Sequence, residues 1–125
     1  MIIRKATKND MPSVLELIQE LATFEKEPDA VVVTVDDLIR DGFSENPLFQ
    51  CFVAEEENEI IGMALYYYRY STWKGRRLYL EDLIVTEKMR GSGIGKLLLD
   101  ELIVYGKAND YHGMVWQVLD WNEPA

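Results

Sequence analysis

The chain has 125 residues, of which 48% are hydrophobic and 28% charged, and its formal net charge is −9 at pH 7. This length predicts one domain, residues 1–125, and the acidic balance argues against nucleic-acid binding, which requires a basic surface. No run approaches the roughly 18 apolar residues of a membrane span, and the N-terminus lacks a signal-peptide pattern, so we expect no membrane contact and a cytoplasmic location.

The chain opens with a predicted short strand, residues 2–6, and an amphipathic helix. Asp10 is placed to cap this helix, with Pro12 in the first turn, where its missing N–H costs nothing. Pro28 cannot continue a helix and sets its end. The apolar stripe, at spacings of three and four, consists of Met11, Val14, Leu15, Ile18, Leu21 and Ala22.

A second helix and a hairpin follow. The helix is predicted to begin at Thr34, with Asp37 completing a capping box, and to end at Gly42. Residues 49–55 and 60–70 then have strand character on either side of an acidic turn. The single cysteine, Cys51, excludes an internal disulfide and lies in the first of these apolar runs, so we interpret it as a core residue.

Residues 79–85 form a predicted strand that is apolar on both sides of an acidic pair, which favours a central position in a sheet. A glycine-rich turn, residues 90–96, opens into a helix, and residues 113–119 give a further strand. The apolar stripe of that helix is Ile94, Leu97, Leu98, Leu102 and Tyr105. The element order predicts a mixed α/β sheet rather than a doubly wound fold, with ligands beside the glycine turn.

The glycine turn has the features of a phosphate site, because unpartnered N–H groups point outward where a helix begins. A P-loop needs four residues between its glycines, whereas three lie between Gly91 and Gly95, and Leu97 stands where Ser or Thr is required. A dinucleotide fingerprint would need glycine in place of Lys96. An ordinary strand-to-helix turn and the pattern Arg-x-x-Gly-x-Gly, which begins at Arg90, remain.

That pattern resembles the turn that wraps the pyrophosphate of acetyl-coenzyme A (acetyl-CoA) in the Gcn5-related N-acetyltransferase (GNAT) family. Further segments resemble the diamine acetyltransferases of the spermidine/spermine and thialysine type across essentially the whole chain: residues 20–25, 41–43, 70–76, 79–82 and 118–124. The resemblance implies a GNAT fold, with a mixed, mostly antiparallel sheet flanked by helices. It also implies an acetyl-CoA-dependent amine N-acetyltransferase that forms a homodimer.

The resemblance assigns roles to individual residues. Glu81 is expected to be the general base, acting through water, and the amine site is expected to include Phe24, Glu25, Trp73, Glu81 and Asp82. The residues expected to bind acetyl-CoA are Leu83, Ile84, Val85, Arg90, Gly91, Ser92, Gly93, Ile94, Gly95, Lys96 and Asn122. The alternatives are an ion pair of Glu81 with Arg76 or Arg77, and plain packing of Trp73 and Trp121.

These residue types suit amine acetylation. A primary alkylamine has a pKa of about 10.4, so it is cationic at neutral pH and must lose a proton before it attacks. Carboxylates attract the cation, and backbone N–H groups stabilise the oxyanion that develops on the thioester carbonyl. We expect direct transfer without an acetyl-enzyme, and we expect no metal, because His112 alone makes no ligand cluster.

The sequence departs from the diamine enzymes in two places. Ser71 and Thr72 replace an Asp-Pro pair before Trp73, which favours a lysine-like or small diamine substrate over spermidine or spermine. The chain ends at Ala125, where family members continue with another helix, further strands and a tyrosine that protonates the leaving thiolate. We therefore expect a fold that lacks these last elements. An inactive acyl-CoA-binding module, or an acetyltransferase for peptide N-termini or aminoglycosides, remain alternatives.

Overall fold

The computed structural model describes residues 1–116. Its elements are β1 (Ile2–Lys5), α1 (Met11–Phe24), α2 (Val35–Gly42), β2 (Gln50–Glu56), β3 (Glu59–Ser71), β4 (Gly75–Val85), α3 (Ile94–Ala108) and β5 (Met114–Trp116), with short 3-10 turns at Lys8–Asp10 and Glu87–Met89. This order agrees with the predicted order of strands and helices. The predicted strand at residues 113–119 extends beyond the described residues, and Trp121 and Asn122 lie outside them.

The strands form one sheet in the order β1-β2-β3-β4-β5. The first three pairings are antiparallel, and β5 runs parallel to β4. The prediction of a mixed, mostly antiparallel sheet with a central acidic strand is confirmed, because β4 lies between β3 and β5. Parallel neighbours need a crossover, which here contains α3.

Each face of the sheet has its own core. One core packs α3 on the sheet, and its buried residues include Phe52, Ala64, Tyr66, Leu78, Leu80, Ile94, Leu98 and Leu102. The other packs α1 and α2 on the opposite face, with Met11, Val14, Leu17, Leu38, Cys51, Val53, Met63, Leu65 and Ile84. Cys51 is a core residue as predicted, and burial raises the pKa of its thiol to about 12, so it is not a nucleophile.

The predicted stripe of α3 is wrong at one position. Leu97 is 46% exposed, whereas Leu98 is fully buried. Residues four apart, Ile94, Leu98 and Leu102, form the buried ridge, and Gly106 continues it, where an added Cβ would lie 3.1 Å from Leu78. Leu97 therefore falls at the margin of the contact with the sheet.

The helix starts show one confirmed prediction and one corrected one. Thr34 and Asp37 form a reciprocal capping box, with hydrogen bonds of 3.1 and 3.0 Å. Asp10 precedes α1 as predicted, but its carboxylate makes no capping hydrogen bond to that helix. Instead it accepts from the Thr7 N–H at 2.7 Å and from the Arg4 guanidinium at 2.7 and 3.0 Å, so it joins β1 to the start of α1.

Within residues 1–116, no helix combines the length and the apolar character that crossing a membrane requires.

Candidate active site

A bulge in β4 places the acidic pair. Leu65 of β3 lies opposite Asp82 and Tyr66 lies opposite Leu80, so Glu81 is an extra residue between two regular pairs. In a regular strand two consecutive side chains point to opposite faces, whereas a bulge re-aims one of them. Glu81 contacts Tyr67, which shares its face of β3 with Leu65, the partner of Asp82. Both carboxylates therefore lie on the face of the sheet that carries α1.

Asp82 is partly buried and its pKa is raised to about 6. Burial is the largest cause, and the negative charges of Glu81 and Glu25 add to it. Glu25 follows the last residue of α1, so the end of this helix contributes the third carboxylate of the group. Burial and like charges bring the pKa of this carboxyl group close to neutral pH, so it is suited to accept a proton or to bind a cation.

Glu81 is exposed and accepts a hydrogen bond of 3.1 Å from the Tyr67 hydroxyl. The Tyr67 ring stacks on Tyr79, with 5.1 Å between centroids. Among the described residues Glu81 makes no ion pair with Arg76 or Arg77; Arg76 instead lies 4.4 Å from the Tyr111 ring centroid. The expected alternative of an arginine-paired Glu81 is thus not what the structure shows.

Trp73 is at the tip of the β3–β4 hairpin and is 93% exposed. Its N–H and that of Lys74 donate to the Ser71 hydroxyl oxygen, at 3.2 and 3.0 Å, which orders the turn. The alternative that Trp73 has a plain packing role is therefore wrong for the part of the chain that the structure describes. The structure also does not join Trp73 to Glu25, Glu81 or Asp82 by any hydrogen bond or ring contact.

The glycine turn lies at the start of α3, where the sequence predicts a turn that opens into a helix. Gly91 and Gly93 have φ of +83° and +86°, and an added Cβ at either would meet no atom of the described residues within 4 Å. These glycines are required by the backbone conformation, since L side chains rarely adopt it. Gly93 is the N-cap of α3, and within residues 1–116 no side chain caps the helix, so the N–H groups of its first turn can bind an anion.

The other residues of the turn differ in what they can offer. The Ser92 hydroxyl donates to the Met89 carbonyl, and Lys96 pairs with Asp100 at 2.9 Å. Ile94 is buried, so only its backbone can reach a ligand. The Arg90 guanidinium turns back from the glycines: its Nε donates to the Val85 carbonyl at 3.1 Å. The turn would thus hold a phosphate mainly through its backbone.

The edge of β4 links the carboxylates to the glycine turn. β5 pairs with β4 at Leu78, Tyr79 and Leu80, and within residues 1–116 no strand pairs with this edge from position 81 to 85. Leu83, on β4 between the acidic pair and the glycine turn, is 38% exposed, whereas the Ile84 side chain is in the core. The backbone of the glycine turn, which follows this strand, can accept the pyrophosphate of acetyl-CoA.

Comparison with known proteins gives the family. The acetyltransferase (GNAT) family matches residues 11–125. The chain belongs to the GNAT acetyltransferase family. It is 39% identical to thialysine N-epsilon-acetyltransferase of Bos taurus over 132 residues, which cover 99% of this chain and 78% of that protein. It is 41% identical to human spermidine/spermine N(1)-acetyltransferase-like protein 1, over 98% of this chain but only 19% of that protein.

Solved structures agree on the fold of this GNAT chain. A mutant of the BH1408 protein from Bacillus halodurans has a TM-score of 0.82 and 26% identity, covering 99% of this chain and 86% of that one. An aminoglycoside acetyltransferase from an uncultured soil metagenomic sample, in complex with sisomicin, has a TM-score of 0.81 at 22% identity, covering 98% of this chain and 80% of that one. The predicted fold and family are confirmed.

The structure adds two residues that the sequence did not reveal. Tyr67 contacts Glu81 only because of the strand register, which no local pattern shows. Glu20, on α1, contacts the segment before the glycine turn, and its place within residues 20–25 was the one available signal. Within residues 1–116 no group of three or more His, Cys, Asp or Glu could hold a metal ion.

Proposed function

We propose that this GNAT chain transfers the acetyl group of acetyl-CoA to a primary amine of a small diamine or lysine-like molecule. The observation that carries the proposal is the grouping of Glu25, Glu81 and Asp82 around the bulge of β4. The names of relatives support the class of acceptor: thialysine, spermidine/spermine and, at 24% identity, L-ornithine acetyltransferases.

The carboxylates supply what a cationic amine needs. An ammonium group close to Asp82 replaces like-charge repulsion with attraction, and so it lowers the raised pKa of that carboxyl. Glu81 acts as the general base, through a water molecule, because it is exposed and held by the Tyr67 hydroxyl. Phe24 and Trp73 complete the amine site as exposed aromatic surfaces at the ends of α1 and the β3–β4 hairpin.

The acetyl donor lies along β4 and the glycine turn. Backbone groups of Leu83, Ile84 and Val85 hold the pantetheine arm and stabilise the oxyanion. The pyrophosphate is held by the residues of the turn: Arg90, Gly91, Ser92, Gly93, Ile94, Gly95 and Lys96. Asn122, outside the described residues, is proposed to lie along the cofactor. The neutral amine nitrogen forms a bond to the thioester carbonyl carbon and gives a proton, through water, to Glu81. The carbon–sulfur bond then breaks, and the thiolate of coenzyme A takes a proton from solvent.

The tip of the β3–β4 hairpin supports a short acceptor. The Ser71 hydroxyl oxygen already accepts two backbone N–H groups, and Thr72 has no charge. No carboxylate therefore stands at these two positions to bind a distant second or third amine. This favours thialysine, lysine or putrescine over spermidine. From the sequence alone, we also propose a single domain, a homodimer and a cytoplasmic location.

The test is release of free coenzyme A thiol from acetyl-CoA with a panel of amines: thialysine, lysine, putrescine, spermidine and one N-terminal peptide. We expect amine-dependent release that is fastest with a lysine-like or short acceptor. Glu81→Gln should lower kcat by about a hundredfold or more, as the loss of a general base does. Glu57→Gln, at the exposed β2–β3 turn, is the matched control and should leave kcat unchanged.

Two results would contradict the proposal. Thiol release that does not depend on any amine would remove the acetyltransferase assignment. Full activity of Glu81→Gln would remove Glu81 as the base and transfer that role to another carboxylate, of which Asp82 is the nearest in sequence.

A further inference from the structure

Glu20 uses both of its carboxylate oxygens on the segment that joins β4 to the glycine turn. Its Oε1 accepts a hydrogen bond of 2.9 Å from the Thr86 hydroxyl. Its Oε2 accepts one of 2.7 Å from the Glu87 N–H and lies 3.6 Å from a terminal nitrogen of Arg90. One side chain of α1 therefore contacts three residues of this segment.

Arg90 also connects α1 to the segment between β4 and the glycine turn. Its Nε donates to the Val85 carbonyl at the end of β4, and its guanidinium carbon lies 5.0 Å from the centroid of the Phe24 ring. Phe24 is one helical turn after Glu20 on α1. The residue that opens the glycine turn is thus held between the end of β4 and the last turn of α1.

The turn itself has little packing to hold it. An added Cβ at Gly91 or Gly93 would meet no atom of residues 1–116 within 4 Å, and residues 90–93 are exposed. The direction of its N–H groups must then depend on the segment before it and the helix after it. Donors that are aimed before the ligand arrives bind more tightly, since no ordering cost falls on binding.

We propose that Glu20 is a positioning residue for the acetyl donor: it holds the segment 86–90 so that the backbone of the glycine turn points at the pyrophosphate. This inference rests on the proposed function, since it assumes that the turn binds acetyl-CoA. Glu20 acts through Thr86, Glu87 and Arg90 and does not itself contact the donor. Glu25, at the C-terminal end of the same helix, acts on Asp82 through its negative charge, so α1 supports both halves of the site.

The charge of Glu20 makes the test decisive. Removing a negative charge close to a phosphate site strengthens anion binding if electrostatics alone operates. A positioning role predicts the opposite. Glu16 lies one turn earlier on α1, lines the same cavity of about 200 Å³ as Glu20 and Thr86, and makes no hydrogen bond to residues 86–90. Glu16→Gln is therefore the matched control.

The experiment measures the Kd of coenzyme A by calorimetry for the unaltered chain, Glu20→Gln, Thr86→Val and Glu16→Gln, with KM for acetyl-CoA and for the amine alongside. We expect Glu20→Gln to raise the Kd about tenfold, with a parallel rise in KM for acetyl-CoA and an unchanged KM for the amine. Thr86→Val should act in the same direction. The double variant Glu20→Gln/Thr86→Val should weaken binding by less than the two single effects combined, because both substitutions disturb the same Glu20–Thr86 hydrogen bond. Glu16→Gln should bind as tightly as the unaltered chain.

Each other outcome overturns a definite part of the proposal. If the unaltered chain does not bind coenzyme A, the proposed function fails, and this inference fails with it. If the unaltered chain binds but Glu20→Gln and Thr86→Val bind equally well or better, only the role of Glu20 fails. Equal weakening by Glu16→Gln would also remove that role. Should Glu20→Gln lose its cooperative unfolding transition, Thr86→Val alone decides between these results.

Discussion

Asp82 shows how a single position can combine a structural cost with a chemical use. Burial and the charges of Glu81 and Glu25 raise its pKa to about 6, so its charged form costs more than that of an ordinary aspartate, although it still predominates at pH 7. The pair at positions 81 and 82 is plain in the sequence. Its convergence on one face is not, because strand alternation predicts opposite faces and only the bulge opposite Leu65 and Tyr66 changes this.

The raised pKa of Asp82 has a consequence for stability. A carboxyl group with a higher pKa folded than unfolded favours folding when protonated, so its contribution is lost as pH rises from about 4 to 6. Asp82→Asn, which stays neutral, should unfold like the unaltered chain at pH 4. Above pH 6 it should be more stable by about 1 to 3 kcal/mol. Urea unfolding at a series of pH values measures this difference, and a difference independent of pH would contradict the raised pKa.

Trp73 provides a second test at the scale of one residue. Because the side chain is 93% exposed, Trp73→Ala should change the free energy of unfolding by less than about 0.5 kcal/mol. The same change should raise KM for the amine if the indole contacts the substrate. Chemical denaturation and steady-state kinetics on one preparation separate the two effects. A loss of stability of about 2 kcal/mol or more would show that Trp73 packs in the core after all.

At the scale of elements, local signals were the most predictable. The capping box of Thr34 and Asp37 and the glycine turn involve residues close in sequence, and both occur where the sequence predicts them. Asp10 and Leu97 were predicted wrongly because a distant group decides their roles. Asp10 binds Arg4 of β1 rather than its own helix, and the packing of α3 on the sheet leaves Leu97 at its margin.

The start of α3 allows a matched comparison of two glycines. Gly93 has φ of +86°, so Gly93→Ala should destabilise the chain by about 1 to 2 kcal/mol. Gly95 lies in the first turn of α3, has no positive φ, and an added Cβ would lie 3.7 Å from a Val85 methyl group. Gly95→Ala should therefore be neutral or stabilise by about 0.5 to 1 kcal/mol. Thermal or urea unfolding measures both, and equal effects would contradict the left-handed conformation at Gly93.

At the scale of the whole molecule, the sheet brings together segments that are far apart in the chain. The end of α1, the bulge of β4 and the glycine turn meet because α1 covers one face of the sheet while β4 leads directly into the turn. The element order predicted the mixed sheet, and the family resemblance assigned Glu25, Glu81 and Asp82 to one amine site, which stays a prediction. Neither showed the contacts of Tyr67 and Glu20, since these depend on strand register and on how α1 lies over β4.

The site as a whole predicts a product as well as a rate. The most direct measurement is mass spectrometry of the amine after incubation of the chain with acetyl-CoA and thialysine, lysine, putrescine or spermidine, each in turn. We predict an acetylated primary amine, formed in equal amount to coenzyme A and most abundant with a lysine-like or short diamine acceptor. Unmodified amine in every reaction, from a chain that still binds coenzyme A, would contradict acetyl transfer and leave a binding module.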